Sequence, residues 1–120
     1  MARPDTPLEF VGSSLADLSA FPVEAKKLIG FALRIAQKGG RHPGSKPLKG
    51  FKGTTVMEIV ADADGDTYRG VYTAKLQGVI YVLHAFKKKS KSGIATPKFV
   101  IDKIAARLKE AKALHAERKI

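Results

Sequence analysis

Cysteine is absent from this chain, so no disulfide braces it and no thiolate can hold a metal. That absence fits a reducing cytoplasm. No apolar run approaches the roughly 18–20 residues that cross a bilayer. The first ten residues, MARPDTPLEF, lack the apolar segment of a secretory signal. A soluble cytoplasmic protein with no membrane partner is therefore expected. Neither a repeat nor a low-complexity linker interrupts the 120 residues, which predict a single domain over 1–120 with residues 1–7 as a loose lead-in. No Gly-x-Ser-x-Gly occurs, and no paired carboxylates stand in an apolar context. The histidines, His42, His84 and His115, lie too far apart in sequence for metal-ligand spacing. No metal and no cofactor is expected.

Acidic residues are scarce beside basic ones. Eleven Asp+Glu face 22 Lys+Arg, and 22 − 11 gives a net charge of +11. A field that strong selects nucleic acid first, then an anionic membrane or an acidic protein. The hydrophobic share, 44%, suffices for a modest core.

The coarse pattern is β-α-α-β-β-β-α. Leu8 to Val11 reads as an edge strand. Ser14 caps a first helix, with Asp17 at its positive end. Pro22 opens a second helix. Val23, Leu28, Phe31, Ala32, Ile35 and Ala36 form its apolar stripe, and Gly39-Gly40 end it. Gly30, in its middle, suggests close packing of the two helices. Residues 39–53 form a basic Gly/Pro loop carrying Lys49 and Lys52; its spacing does not fit a nucleotide-binding loop. Thr55–Ala61, Thr67–Lys75 and Val79–Phe86 are three strands, joined by a turn at residues 62–66 and a hairpin at Gln77-Gly78. Thr96-Pro97 starts a last helix with Ile101, Ile104, Leu108 and Ala111 on its apolar side. Helices and antiparallel strands segregated in this way indicate an α+β fold.

The stretch most suggestive of function is VIYVLHAFKKKSKSGIATP, residues 79–97, which breaks from an apolar run into Lys87, Lys88, Lys89 and Lys91. The hairpin admits two registers, with Arg69 opposite either His84 or Phe86. Both put Arg69 and His84 on one face. Arg69, His84 and Lys87 then form a candidate site for RNA cleavage. The arginine stabilises charge on a pentacoordinate phosphate, the histidine moves protons, and Lys88, Lys89 and Lys91, with Lys49 and Lys52, hold flanking phosphates. Phe86 or Tyr72 stacks on a base. Simpler readings stand beside these. His84 is equally well read as a hydrogen-bonded core histidine. Arg69 can pair with Asp66 or Glu58, and the lysine run can be a solvated loop. His42 and His115 read as incidental.

FVGSSLADLSAFP, FALRIAQKGG, KPLKGFKG, YRGVYT and IYVLHAFKKKSKSGIATP occur in order over residues 8–112, ahead of an Ile/Leu/Arg/Lys helix. In this combination the chain resembles the phage-derived HigB-like toxins of the RelE/ParE superfamily. The resemblance implies a RelE-like fold: a twisted antiparallel sheet with two N-terminal helices on one face and a C-terminal helix. It implies the toxin of a type II toxin–antitoxin pair, a metal-independent mRNA endoribonuclease acting at the ribosome, and a helix-turn-helix antitoxin as partner. Arg69 matches the sheet arginine, Lys87 to Lys89 match the basic run, and His84 is the proton carrier that the segment offers. RelE-type toxins often use a tyrosine near the C-terminus, whereas this chain has none after Tyr81. The superfamily also contains ParE-type gyrase inhibitors, and a non-catalytic basic nucleic-acid-binding module is a further alternative.

Overall fold

The computed structural model describes residues 5–51, 56–73, 76, 78–88 and 96–118. Eight elements follow along the chain. They are β1 (Leu8–Phe10), α1 (Ser14–Ser19), α2 (Val23–Gln37), β2 (Ser45–Pro47), β3 (Val56–Ala63), β4 (Asp66–Thr73), β5 (Ile80–Lys88) and α3 (Lys98–Arg118). The strands form one sheet in the order β1-β5-β4-β3-β2. The fold is α+β, as expected, but the sheet is mixed: β1 runs parallel to β5, with Leu8 beside Ile80 and Phe10 beside Val82. The chain enters along one sheet edge and reaches its neighbour only after both helices and the meander. That long crossover is what permits a parallel pair.

Turn chemistry sets the local boundaries. Asp64 and Gly65 carry φ of 52° and 80° between paired Ala63 and Asp66. This two-residue connection with both central φ positive matches the right-handed strand twist. At the end of α2, the Gly40 amide donates to Ile35 O (2.9 Å) and the Gly39 amide to Ala36 O (3.0 Å), with Gly39 at φ 90°. The two glycines thus satisfy carbonyls that the helix leaves open. Pro22 is the cap of α2 and Val23 its first residue. Ser14 does not cap α1. It lies inside the helix, and its buried hydroxyl donates to Val82 O at 3.1 Å, tying α1 to the sheet.

The sheet separates two cores. On one face Met57, Ile59, Ala61, Tyr68, Tyr72, Val82 and Ala85 pack against Leu18 of α1 and Ala25, Ile29, Ala32, Leu33 and Ala36 of α2. On the other, Val56, Val71, Tyr81 and Leu83 pack against Val100, Ile104, Leu108 and Ala111 of α3. The stripe expected for α2 is rotated: Val23 and Phe31 are exposed, and Phe31 meets the His42 ring edge-on at 5.8 Å. The glycine that permits close packing is Gly70, where a Cβ would come within 3.0 Å of Ile29 Cγ2. Gly30 has open space around it. His115 is buried against Tyr81, with 3.2 Å between its Nδ1 and the tyrosine hydroxyl, so it anchors the end of α3. No helix of the described residues is long and apolar enough to cross a membrane.

Candidate nucleic-acid interface

β4 and β5 pair antiparallel with Arg69 opposite Phe86 and Val71 opposite His84; beyond this point Tyr72 pairs with Val82. Leu83 is therefore the extra residue of a β-bulge, and it lies on the α3 side together with His84. The bulge selects the second of the two registers that the sequence allows. It also re-aims the strand end, a common use of a bulge near a functional site. Alternation then places His84, Phe86 and Lys88 on the face of Arg69, and Lys87 on the opposite face.

Arg69 is held by Glu58, Nη1 to Oε1 at 2.5 Å, with side-chain exposures of 13% and 1%. Lys46 of β2 stands opposite Glu58 in the register, and its Nζ lies 3.9 Å from the same oxygen with the side chain 60% exposed. A buried carboxylate is tolerated only when paired. Here one arginine and one lysine surround it. Glu58 Oε2 and Arg69 Nε are both buried without a hydrogen-bond partner. The pair is thus joined through one guanidinium nitrogen, and the Nε donor stays uncommitted. Lys88 is buried beside them. Burial first, then the charges of Arg69 and Lys46, lower its ammonium pKa, with Glu58 opposing. Phe86 is partly buried across from Arg69.

His84 is 6% exposed and stacks on Phe86, with centroids 5.2 Å apart and 18° between planes. Burial, followed by Arg107 and Lys103, pushes its pKa from 6.5 to about 4, against a smaller opposing pull from Asp17. At neutral pH only about one molecule in a thousand would carry a protonated His84. That weighs against His84 as a proton donor and favours the hydrogen-bonded core histidine. The shift has a testable sign. As pH falls below 6.5, the unfolded chain takes up a proton that the folded chain refuses until about 4, so stability is lost through that window. Between pH 7 and 5 the loss from one such group is about 2 kcal/mol. Urea unfolding of wild type and His84→Gln across this range measures it. Equal pH slopes for the two proteins would contradict the assignment.

The other expected site residues divide. Lys87 forms an ion pair with Asp66 at 3.1 Å on the α2 side, and that hydrogen bond raises its pKa. It does not join Arg69 and His84, because a strand that continues to Lys88 keeps alternating. Tyr72 is 2% exposed in the α2 core and offers no ring face to a base. Lys49 is exposed in the loop after β2. Lys52, Lys89 and Lys91 lie outside the described residues. The folded chain adds Lys46 and Arg107 to this region. Lys46 sits in a three-residue strand within a Gly/Pro loop, too short to read as one. Arg107 did carry a signal: it interrupts the apolar stripe Val100, Ile104, Leu108, Ala111 one position before Leu108.

Residues 16–109 match the family described as Phage derived protein Gp49-like (DUF891). The chain belongs to this family. The Gp49-like family is associated with the toxins of toxin–antitoxin systems. No curated protein and no solved structure matches the chain significantly. The family match takes in α2, β2, the whole β3–β5 meander and α3 through Lys109, so every residue of the basic face lies within the Gp49-like segment.

Proposed function

We propose that this Gp49-like protein is the toxin of a type II toxin–antitoxin pair and acts as an mRNA endoribonuclease at the ribosome. The observation that carries the reading is Arg69, set between Lys46 and Lys88 and facing Phe86 on one sheet face of a chain with net charge +11. In the proposed reaction the ribose 2′-oxygen bonds to the adjacent phosphorus and the P–O5′ bond breaks. The products are a 2′,3′-cyclic phosphate and a 5′-hydroxyl. The 2′-hydroxyl proton leaves to a base, and the departing 5′-oxygen gains one. Arg69 stabilises the charge that develops on the phosphate oxygens. Lys46 reaches a flanking phosphate from its exposed position. Phe86 supports a stacked base. Lys88 stands on the same face, where burial and then neighbouring cations lower its ammonium pKa, and it is offered beside His84 as a group for the proton transfers.

A helix-turn-helix antitoxin that covers the Lys46/Arg69 region with an acidic segment would neutralise the same charges. Induction of the protein, with mapping of cellular mRNA 5′ ends, tests the reading. New ends inside translated reading frames, with growth arrest relieved by the antitoxin, are expected. Intact transcripts with damaged DNA would transfer the toxin to gyrase. Intact transcripts with normal growth would leave only a basic binding module.

A further inference from the structure

Arg107 of α3 makes contacts that the RNA reading does not use. Its Nη1 donates to Leu83 O at 3.1 Å, the carbonyl of the bulged residue, and lies 3.3 Å from His84 Nδ1. Its Nη2 donates to Ser13 Oγ at 2.8 Å, and Ser13 donates in turn to Asp17 Oδ2 at 2.8 Å. The guanidinium lies against Gly12, where a Cβ would come within 2.7 Å of its Nε and 2.9 Å of its Cζ. Gly12 has φ of 58°, so the backbone calls for glycine there, and a Cβ would push the guanidinium aside. One side chain thus joins α3, the entry to α1 and the bulge of β5. An arginine has donors and no acceptor. Where it meets an imidazole nitrogen, that nitrogen must supply the lone pair.

We infer that Arg107 is a positioning residue: it pins the β5 bulge and holds His84 as the neutral tautomer with its proton on Nε2, stacked on Phe86 opposite Arg69. The charged groups acting on His84 are Arg107 and Lys103 from α3 and Asp17 from α1. Burial keeps the ring neutral first, and the two cations add to it against one carboxylate. A neutral ring packs flat on Phe86 and carries one N–H donor suited to an anionic oxygen. The functional consequence rests on the RNA reading above; the tautomer does not.

Long-range ¹H–¹⁵N spectra of the full-length labelled chain test this, with His84 assigned through His84→Gln. In the wild type His84 should show the Nε2–H pattern at pH 7. Arg107→Ala should give a mixture of both tautomers and raise the His84 protonation midpoint, since one of the two cations that lower it is gone. Arg107→Lys, whose ammonium still donates but lacks the planar fork, should restore the Nε2–H form in part. If Arg107→Ala does not fold, Ser13→Ala loosens the same guanidinium and should raise the Nδ1–H population. A wild-type His84 protonated on Nδ1, or Arg107 and Ser13 variants with wild-type spectra, would overturn the inference. RNA cleavage measured on the same samples keeps the two proposals separate. A shifted tautomer with a wild type that cleaves nothing would remove the RNA reading and leave the positioning role standing.

Discussion

Arg69→Ala is expected to lower the RNA cleavage rate by about 10²–10³-fold per folded molecule, the usual cost of one oriented charge-stabilising donor. Binding should fall far less, because the interaction strengthens only as charge develops on the phosphate. Arg69→Lys is the sharper variant. It keeps a cation beside Glu58, so the buried carboxylate retains a partner, but it loses the planar fork. Cleavage by Arg69→Lys should therefore stay well below wild type while its melting temperature stays close. Lys46→Ala, in contrast, should weaken binding and reduce its salt dependence by about one phosphate contact. Cleavage by Arg69→Lys at the wild-type rate would remove Arg69 from the chemistry.

Glu58→Ala is expected to destabilise the fold by about 3–5 kcal/mol, the range for breaking a buried ion pair by removing one partner. Its carboxylate is 1% exposed and holds Arg69 through a single guanidinium nitrogen, with Lys46 close by. Without it, the mostly buried Arg69 loses its carboxylate partner. The double variant Glu58→Ala/Arg69→Ala should be more stable than the sum of the two single losses predicts, because it leaves neither charge stranded. Urea unfolding of the four proteins measures the coupling. Strict additivity would mean that the pair contributes nothing specific to the sheet.

These expectations depend on features that were unevenly legible in the sequence. The turn at Asp64-Gly65 and the stop at Gly39-Gly40 were readable, because each needs a backbone conformation that few residues adopt. The strands are readable for a different reason, their runs of β-branched and aromatic residues between turn signals. That Arg69 and His84 share a face followed from the period of two and survived the choice of register. The end of β5 was not legible. A lysine run reads as solvent-facing loop, yet pairing with Thr67 and Tyr68 carries the strand through Lys88. This sends Lys87 and Lys88 to opposite faces. The bulge at Leu83 leaves no compositional mark, since no glycine is needed there. Lys46 and Arg107 act through partners distant in sequence, Glu58 and His84, and only the folded register brings each pair together. The burial of Tyr72 is not legible either, because an aromatic in a strand looks the same whether it faces a core or a groove.

We propose that Arg69 and its neighbouring lysines cleave RNA by attack of the 2′-oxygen. This is tested most directly by capturing 5′-hydroxyl RNA ends after induction of wild type and of folded Arg69→Lys in parallel. Abundant new 5′-hydroxyl ends with the wild type, nearly absent with the variant, are predicted. No new ends with either protein, or equal numbers with both, would contradict the account.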